Sequence, residues 1–130
     1  MEVKMHSALL ILLVVVLWYQ FCVFWAALYR VREVGLKALA GPRDDLPPMG
    51  VKASRADRAL NNLKENLFVF IPLVLLSVHA GASGMLAPAG ALIFLVGRLL
   101  HFPLYVFGVQ YARSAVFQMS LAGNAILLVS

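Results

Sequence analysis

The chain has 130 residues, of which 62% are hydrophobic and 13% charged, with a mean hydropathy of +0.87 and a net charge of +5. A soluble domain carries about 25% charged residues, so this balance excludes a soluble fold and indicates an integral membrane protein embedded in a lipid bilayer. The basic residues lie between and at the ends of apolar runs, where a bilayer places them, so no nucleic-acid partner is expected. The single cysteine, Cys22, excludes an intrachain disulfide and a thiolate metal cluster, and no metal is expected.

Ala8 to Tyr29 is a run of 22 residues in which only Gln20 is strongly polar, close to the roughly 20 needed to cross a bilayer. A cleaved signal peptide is the rival reading. The run is longer than the usual apolar core of such a peptide, and Trp18, Tyr19, Phe24, Trp25 and Tyr29 make a poor cleavage region, so a retained first span is expected. Residues 30–56 change character, with Arg30, Arg32, Lys37, Arg43, Lys52 and Arg55 set among Gly41-Pro42, Asp44-Asp45, Pro47-Pro48 and Gly50. With Arg58 this connection gathers seven of the eleven basic residues, so the positive-inside rule places it in the cytoplasm and the amino terminus outside.

Ser54-Arg55-Ala56-Asp57 has the form of a capping box, which predicts a helix from about Arg55 with its span over 57–80 and Pro72 inside it as a bend. After a turn at His79–Gly84, residues 85–108 are apolar apart from Arg98 and His101. Their first half is rich in small residues that favour close helix packing. A tight return at 109–112 leads to a last span over 113–130. The expectation is an all-α membrane protein, one domain over 1–130, folded as a four-helix transmembrane bundle with both ends outside.

Two polar stripes interrupt this pattern. At about 100° per residue, Arg58, Asn62 and Glu65 fall within roughly 60° of one another, a stripe about 10 Å long on the second span. Arg98, His101 and Tyr105 form the other, on the third span at a similar depth. An arginine within a span costs about 2.5–3.5 kcal/mol on insertion scales and requires a carboxylate or a wet cavity. Glu65 is the sole acid in any span interior, which makes Arg98–Glu65 the expected structural ion pair. Taken singly, Arg58 and Arg113 also suit snorkelling at helix ends, Tyr105 and Tyr111 suit the interface belt, and His101 suits a structural role. Taken together, the set suits an anionic or zwitterionic ligand.

The motifs Arg58-x-x-x-Asn62-x-x-Glu65, Arg98-x-x-His101-x-x-x-Tyr105 and Arg113-Ser114, in this order and at these helix ends, resemble the MAPEG family, the membrane-associated proteins of eicosanoid and glutathione metabolism. The resemblance covers essentially the whole chain and is nearest to a bacterial branch, which implies a bacterial inner membrane. It implies a homotrimer holding glutathione between neighbouring subunits near the cytoplasmic face. Arg58, Asn62, Glu65, His101, Tyr105, Arg113 and Ser114 would contact glutathione, Arg98 would buttress Glu65, and Arg30 or Arg32 would reach a glutathione carboxylate. The implied activity is that of a glutathione transferase or peroxidase acting on a lipophilic electrophile. Arg113 is the candidate that stabilises the thiolate, because a guanidinium stays protonated at any physiological pH, with the Ser114 hydroxyl as a second donor to the sulfur. A proton-coupled four-helix exporter and a glutathione-binding scaffold without turnover are the alternatives.

Overall fold

The computed structural model describes residues 6–130; residues 1–5, whose expected position outside the cytoplasm is noted above, lie outside it. The chain runs α1 (Ser7–Val34), α2 (Leu36–Ala40), α3 (Val51–His79), α4 (Leu86–Val106) and α5 (Gln110–Val129), with no strand among the described residues. All but the five-residue α2 are long and apolar enough to cross a bilayer. The molecule is an all-α four-span bundle, as its hydropathy requires.

Three boundaries differ from the expectation. α1 carries on past Tyr29 to Val34, so Arg30 and Arg32 belong to its last turns rather than to a loop. Gly35, at φ 84°, then breaks the helix where a side chain would be strained, and α2 follows at once. α3 starts at Val51, a turn ahead of the Ser54–Asp57 capping box, with Gly50 as its N-cap. The cap is supplied from a distance. Glu33 Oε1 accepts from the Gly50 amide at 2.9 Å while its Oε2 accepts from Arg30 Nη1 at 2.8 Å, and Arg30 Nη2 donates to the Pro47 carbonyl. A carboxylate at a helix start satisfies an orphan amide and opposes the positive end of the helix dipole, which is why a residue 17 positions upstream outcompetes the local box. α5 likewise begins at Gln110, three residues ahead of the span read from hydropathy, which puts Arg113 inside its first turn and a half.

The core is shared by α1, α3 and α4, with Ala8, Val15 and Cys22 of α1 fully buried in it. Ala56, Ala59, Leu63, Leu67, Phe70 and Val74 recur at helical spacing on one stripe of α3, and Phe70 stacks on Phe94 of α4 with ring centroids 3.9 Å apart. α4 and α5 approach more closely still. A Cβ on Gly123 would stand 2.7 Å from both the Gly90 carbonyl oxygen and the Phe94 amide nitrogen, so only glycine permits this separation of the two backbones. α1 is tied to α4 by the Trp18 indole, whose Nε1 donates to the Arg98 carbonyl at 3.2 Å. At one end of the bundle His6 accepts from the Ala8 amide through Nδ1, so Nε2 carries the proton offered to the Ala82 carbonyl at 3.2 Å. At the other end Lys52 lies 5.7 Å from the Phe107 ring centroid, which sets the start of α3 beside the α4–α5 turn.

Large apolar side chains remain uncovered on α1 and α3, among them Leu17, Phe24, Phe68 and Leu76. In water such a surface is a liability; in a bilayer it meets lipid or other apolar protein surface.

Candidate functional site

The antiparallel course of α3, α4 and α5 brings the amino-terminal half of α3, the carboxy-terminal half of α4 and the first turns of α5 to one end of the bundle. There they line an open cavity of about 260 Å³. Asn62 enters it from α3, His101 and Tyr105 from α4, and Arg113, Ser114, Phe117 and Gln118 from α5. Asn62 of the α3 stripe, His101 and Tyr105 of the α4 stripe and the Arg113-Ser114 pair therefore meet. A larger cleft of about 370 Å³ between α1 and α3 is walled by residues such as Val16, Leu67, Phe68 and Ile71, with Lys64 as its one charge; no set of reactive groups converges there.

Tyr105 organises the cationic side of the cavity. The Arg113 guanidinium carbon lies 4.5 Å from its ring centroid and that of Arg58 lies 6.0 Å away, so both cations take the ring as a partner. His101 is 3% exposed, and its Nδ1 is buried with no hydrogen-bond partner among the described residues. Its ring centroid lies 5.7 Å from that of Tyr105 and 6.1 Å from that of Phe117. Among the described residues no three His, Cys, Asp or Glu side chains cluster in a way that could hold a metal ion.

Arg98 departs from expectation. The Arg98–Glu65 ion pair is not formed: Arg98, 1% exposed, instead donates from Nη1 to Asn62 Oδ1 at 2.7 Å. The reason is angular. Asn62 and Glu65 are three residues apart, which turns their side chains about 60° from each other; with Asn62 directed at α4, Glu65 is carried to the exposed side of α3. The guanidinium lies 5.6 Å from the Phe94 ring centroid and 5.5 Å from that of Phe117, and its Nε and Nη2 have no hydrogen-bond partner among the described residues. Two aromatic faces and an amide thus take the place of the carboxylate.

Arg30, Arg32, Arg58 and Glu65 do not line the cavity within this chain. Arg58 and Glu65 are exposed on α3, and of the two Arg58 stands near the cavity, against Tyr105. Arg30 is held by Glu33 and the Pro47 carbonyl, and so ties the loop to α1. Arg32 is exposed near the end of α1. Ser114 donates its hydroxyl proton to the Gln110 carbonyl at 3.2 Å, a back-bond within the helix, so in this structure that proton is already engaged rather than free for a sulfur. Phe117 as a wall and Gln118 were missed as site residues. Both were legible in principle, since positions four apart on a helix share a face and Arg113 and Ser114 therefore point to 117 and 118.

No curated protein and no solved structure matches the chain. A family model described as the MAPEG family matches residues 8–130. The match takes in all four spans and every residue lining the cavity, and the chain belongs to the MAPEG family.

Proposed function

We propose that the protein is a glutathione-dependent transferase or peroxidase of a bacterial inner membrane. It would bind glutathione between the subunits of a homotrimer, stabilise the thiolate, and conjugate or reduce a lipophilic electrophile that arrives laterally from the bilayer. The observation that carries this reading is the placing of Arg113 against Tyr105 in one cavity with Asn62 and His101. A thiol of pKa about 8.5 is only about 3% ionised at pH 7, and a guanidinium that lowers it by about two units makes the thiolate the major form. The seven basic residues between Arg30 and Arg58 support a cytoplasmic location for this end of the bundle, where glutathione is available.

Glu65 and Arg58 support an intersubunit site. Both are exposed on α3, Arg58 within 6.0 Å of the Tyr105 ring centroid and Glu65 two turns further along, in a segment that continues into apolar side chains as exposed as Phe68, at 74%. An exposed carboxylate within a span needs a partner that a second subunit and a ligand ammonium group can supply. Native mass spectrometry in detergent should give a trimer as the main species; monomer alone would remove the intersubunit site.

Calorimetric titration of the detergent-purified protein with glutathione tests the reading. Saturable binding is expected. Glu65→Gln, which keeps shape and removes charge, should weaken it by about 1.5–3 kcal/mol, the scale of a charge-assisted hydrogen bond. Unchanged affinity in a folded trimer would remove Glu65 from the site, absence of binding by the wild type would sink the proposal, and binding without turnover of an aryl halide or a hydroperoxide would leave a glutathione-binding scaffold.

A further inference from the structure

The bond between Arg98 and Asn62 has a chemical consequence for the cavity. A guanidinium has donors and no acceptor, so the Asn62 atom that faces Arg98 Nη1 at 2.7 Å must be its carbonyl oxygen. The usual ambiguity of a side-chain amide is therefore removed by the partner. With Oδ1 committed to the interior, Asn62 Nδ2 and its two protons are left without a partner among the described residues, on a side chain that lines the cavity. Arg98 does not enter the lining. It sits behind it, 1% exposed, against Phe117, and has no acid as a partner among the described residues.

We infer, on the glutathione reading above, that Arg98 is a positioning residue: it holds the Asn62 amide with its NH₂ group turned to the cavity, so that this point of the site donates hydrogen bonds and accepts none. The ligand atom opposite Asn62 is then an acceptor, a carboxylate or carbonyl oxygen, and not the ammonium group. The buried, unshared charge of Arg98 acts in the same direction, since a cation behind a low-dielectric wall favours negative charge in front of it. The free rotor of an unrestrained asparagine would offer either end; the guanidinium makes the choice before the ligand arrives, which lowers the ordering cost of binding.

The sharpest variant is Asn62→Asp, which keeps volume and gives Arg98 a carboxylate, so the fold should hold or gain thermal stability. It replaces the cavity-facing NH₂ by an oxygen. Glutathione affinity should fall at least tenfold at unchanged or raised Tm. Were Asn62 there only to satisfy Arg98, aspartate would serve as well or better, and affinity within twofold of wild type overturns the inference. The orientation is read separately in ligand-free protein by NMR of asparagine labelled with ¹³C at Cγ, the Asn62 resonance being the one lost in Asn62→Asp. That resonance should move in Arg98→Met, where the donor is gone, and stay near its place in Arg98→Lys, where a donor remains; an unmoved resonance in Arg98→Met overturns the inference. If Arg98→Met does not fold, the Arg98→Lys comparison decides, since an ammonium group also has donors and no acceptor, and a displaced resonance in Arg98→Lys counts against the inference. Absence of glutathione binding by the wild type would reject the enzymatic reading, and the NMR comparison would still decide what Arg98 does to Asn62.

Discussion

Arg113→Ala is expected to return the thiol of bound glutathione towards its free pKa of about 8.5 from a value about two units lower in the wild type. Among the described residues that line the cavity the guanidinium is the sole Lys or Arg charge, held 4.5 Å from the centroid of the Tyr105 ring, and it stays charged across the whole range of the titration. At pH 7 the thiolate fraction would drop from a majority to about 3%, so conjugation of a simple aryl halide should fall by about one to two orders of magnitude. The sign follows from charge. The guanidinium favours the anionic thiolate, so its removal raises the pKa and shifts the rising limb of the pH–rate profile to higher pH; at pH well above 9 wild type and variant should converge. Amides at the start of α5 supply a smaller stabilisation of the same sign and survive the substitution. Lysine at this position keeps a charge without the planar fork and should restore only part of the rate. The Ser114 proton, given to the Gln110 carbonyl, contributes less, so Ser114→Ala should cost well under a tenth of the Arg113 effect. The measurement is ultraviolet absorbance of the bound thiolate against pH. A wild-type thiol that titrates as free glutathione does would leave Arg113 as an interfacial anchor.

A second large effect is expected from Gly123→Ala. Helix propensity alone favours alanine by up to about 1 kcal/mol. Here packing opposes it, because the new methyl would stand 2.7 Å from the Gly90 oxygen and the Phe94 nitrogen, both backbone atoms of α4 that no rotamer change can withdraw. The helices must move apart, and overpacking of this kind costs about 1–3 kcal/mol. The net effect should be a loss of stability, seen as a lower midpoint in thermal or detergent unfolding followed by circular dichroism. Gly41→Ala provides the comparison: its Cβ would meet only ordinary contacts at 3.7 Å and 3.9 Å with φ at −85°, and it should change stability by less than about 0.5 kcal/mol. Function should suffer with stability, since α5 carries Arg113 and displacement of that helix moves the guanidinium from Tyr105. If Gly123→Ala is as stable as Gly41→Ala, α4 and α5 do not pack this closely.

The sequence by itself determined the number of spans and their order, because crossing a bilayer demands about 20 apolar residues whose backbone bonds close within the segment, a requirement that leaves a direct trace in hydropathy. It also determined that polar residues at helical spacing share a face, so Asn62 with its neighbours on α3 and His101 with Tyr105 on α4 could be grouped before any fold was known. Which of those groups touch was decided by the tertiary structure alone. Spacing gives the angle between Asn62 and Glu65 on one helix but not the rotation of that helix against α4, and a turn of about 60° is enough to give Arg98 an amide instead of a carboxylate. The same holds for the start of α3: a capping box is local and readable, whereas the Glu33 carboxylate that caps Gly50 is brought there only by the return of the chain along α1. Local rules act within a few residues, and the partners that decided Arg98 and Gly50 lie 36 and 17 positions away.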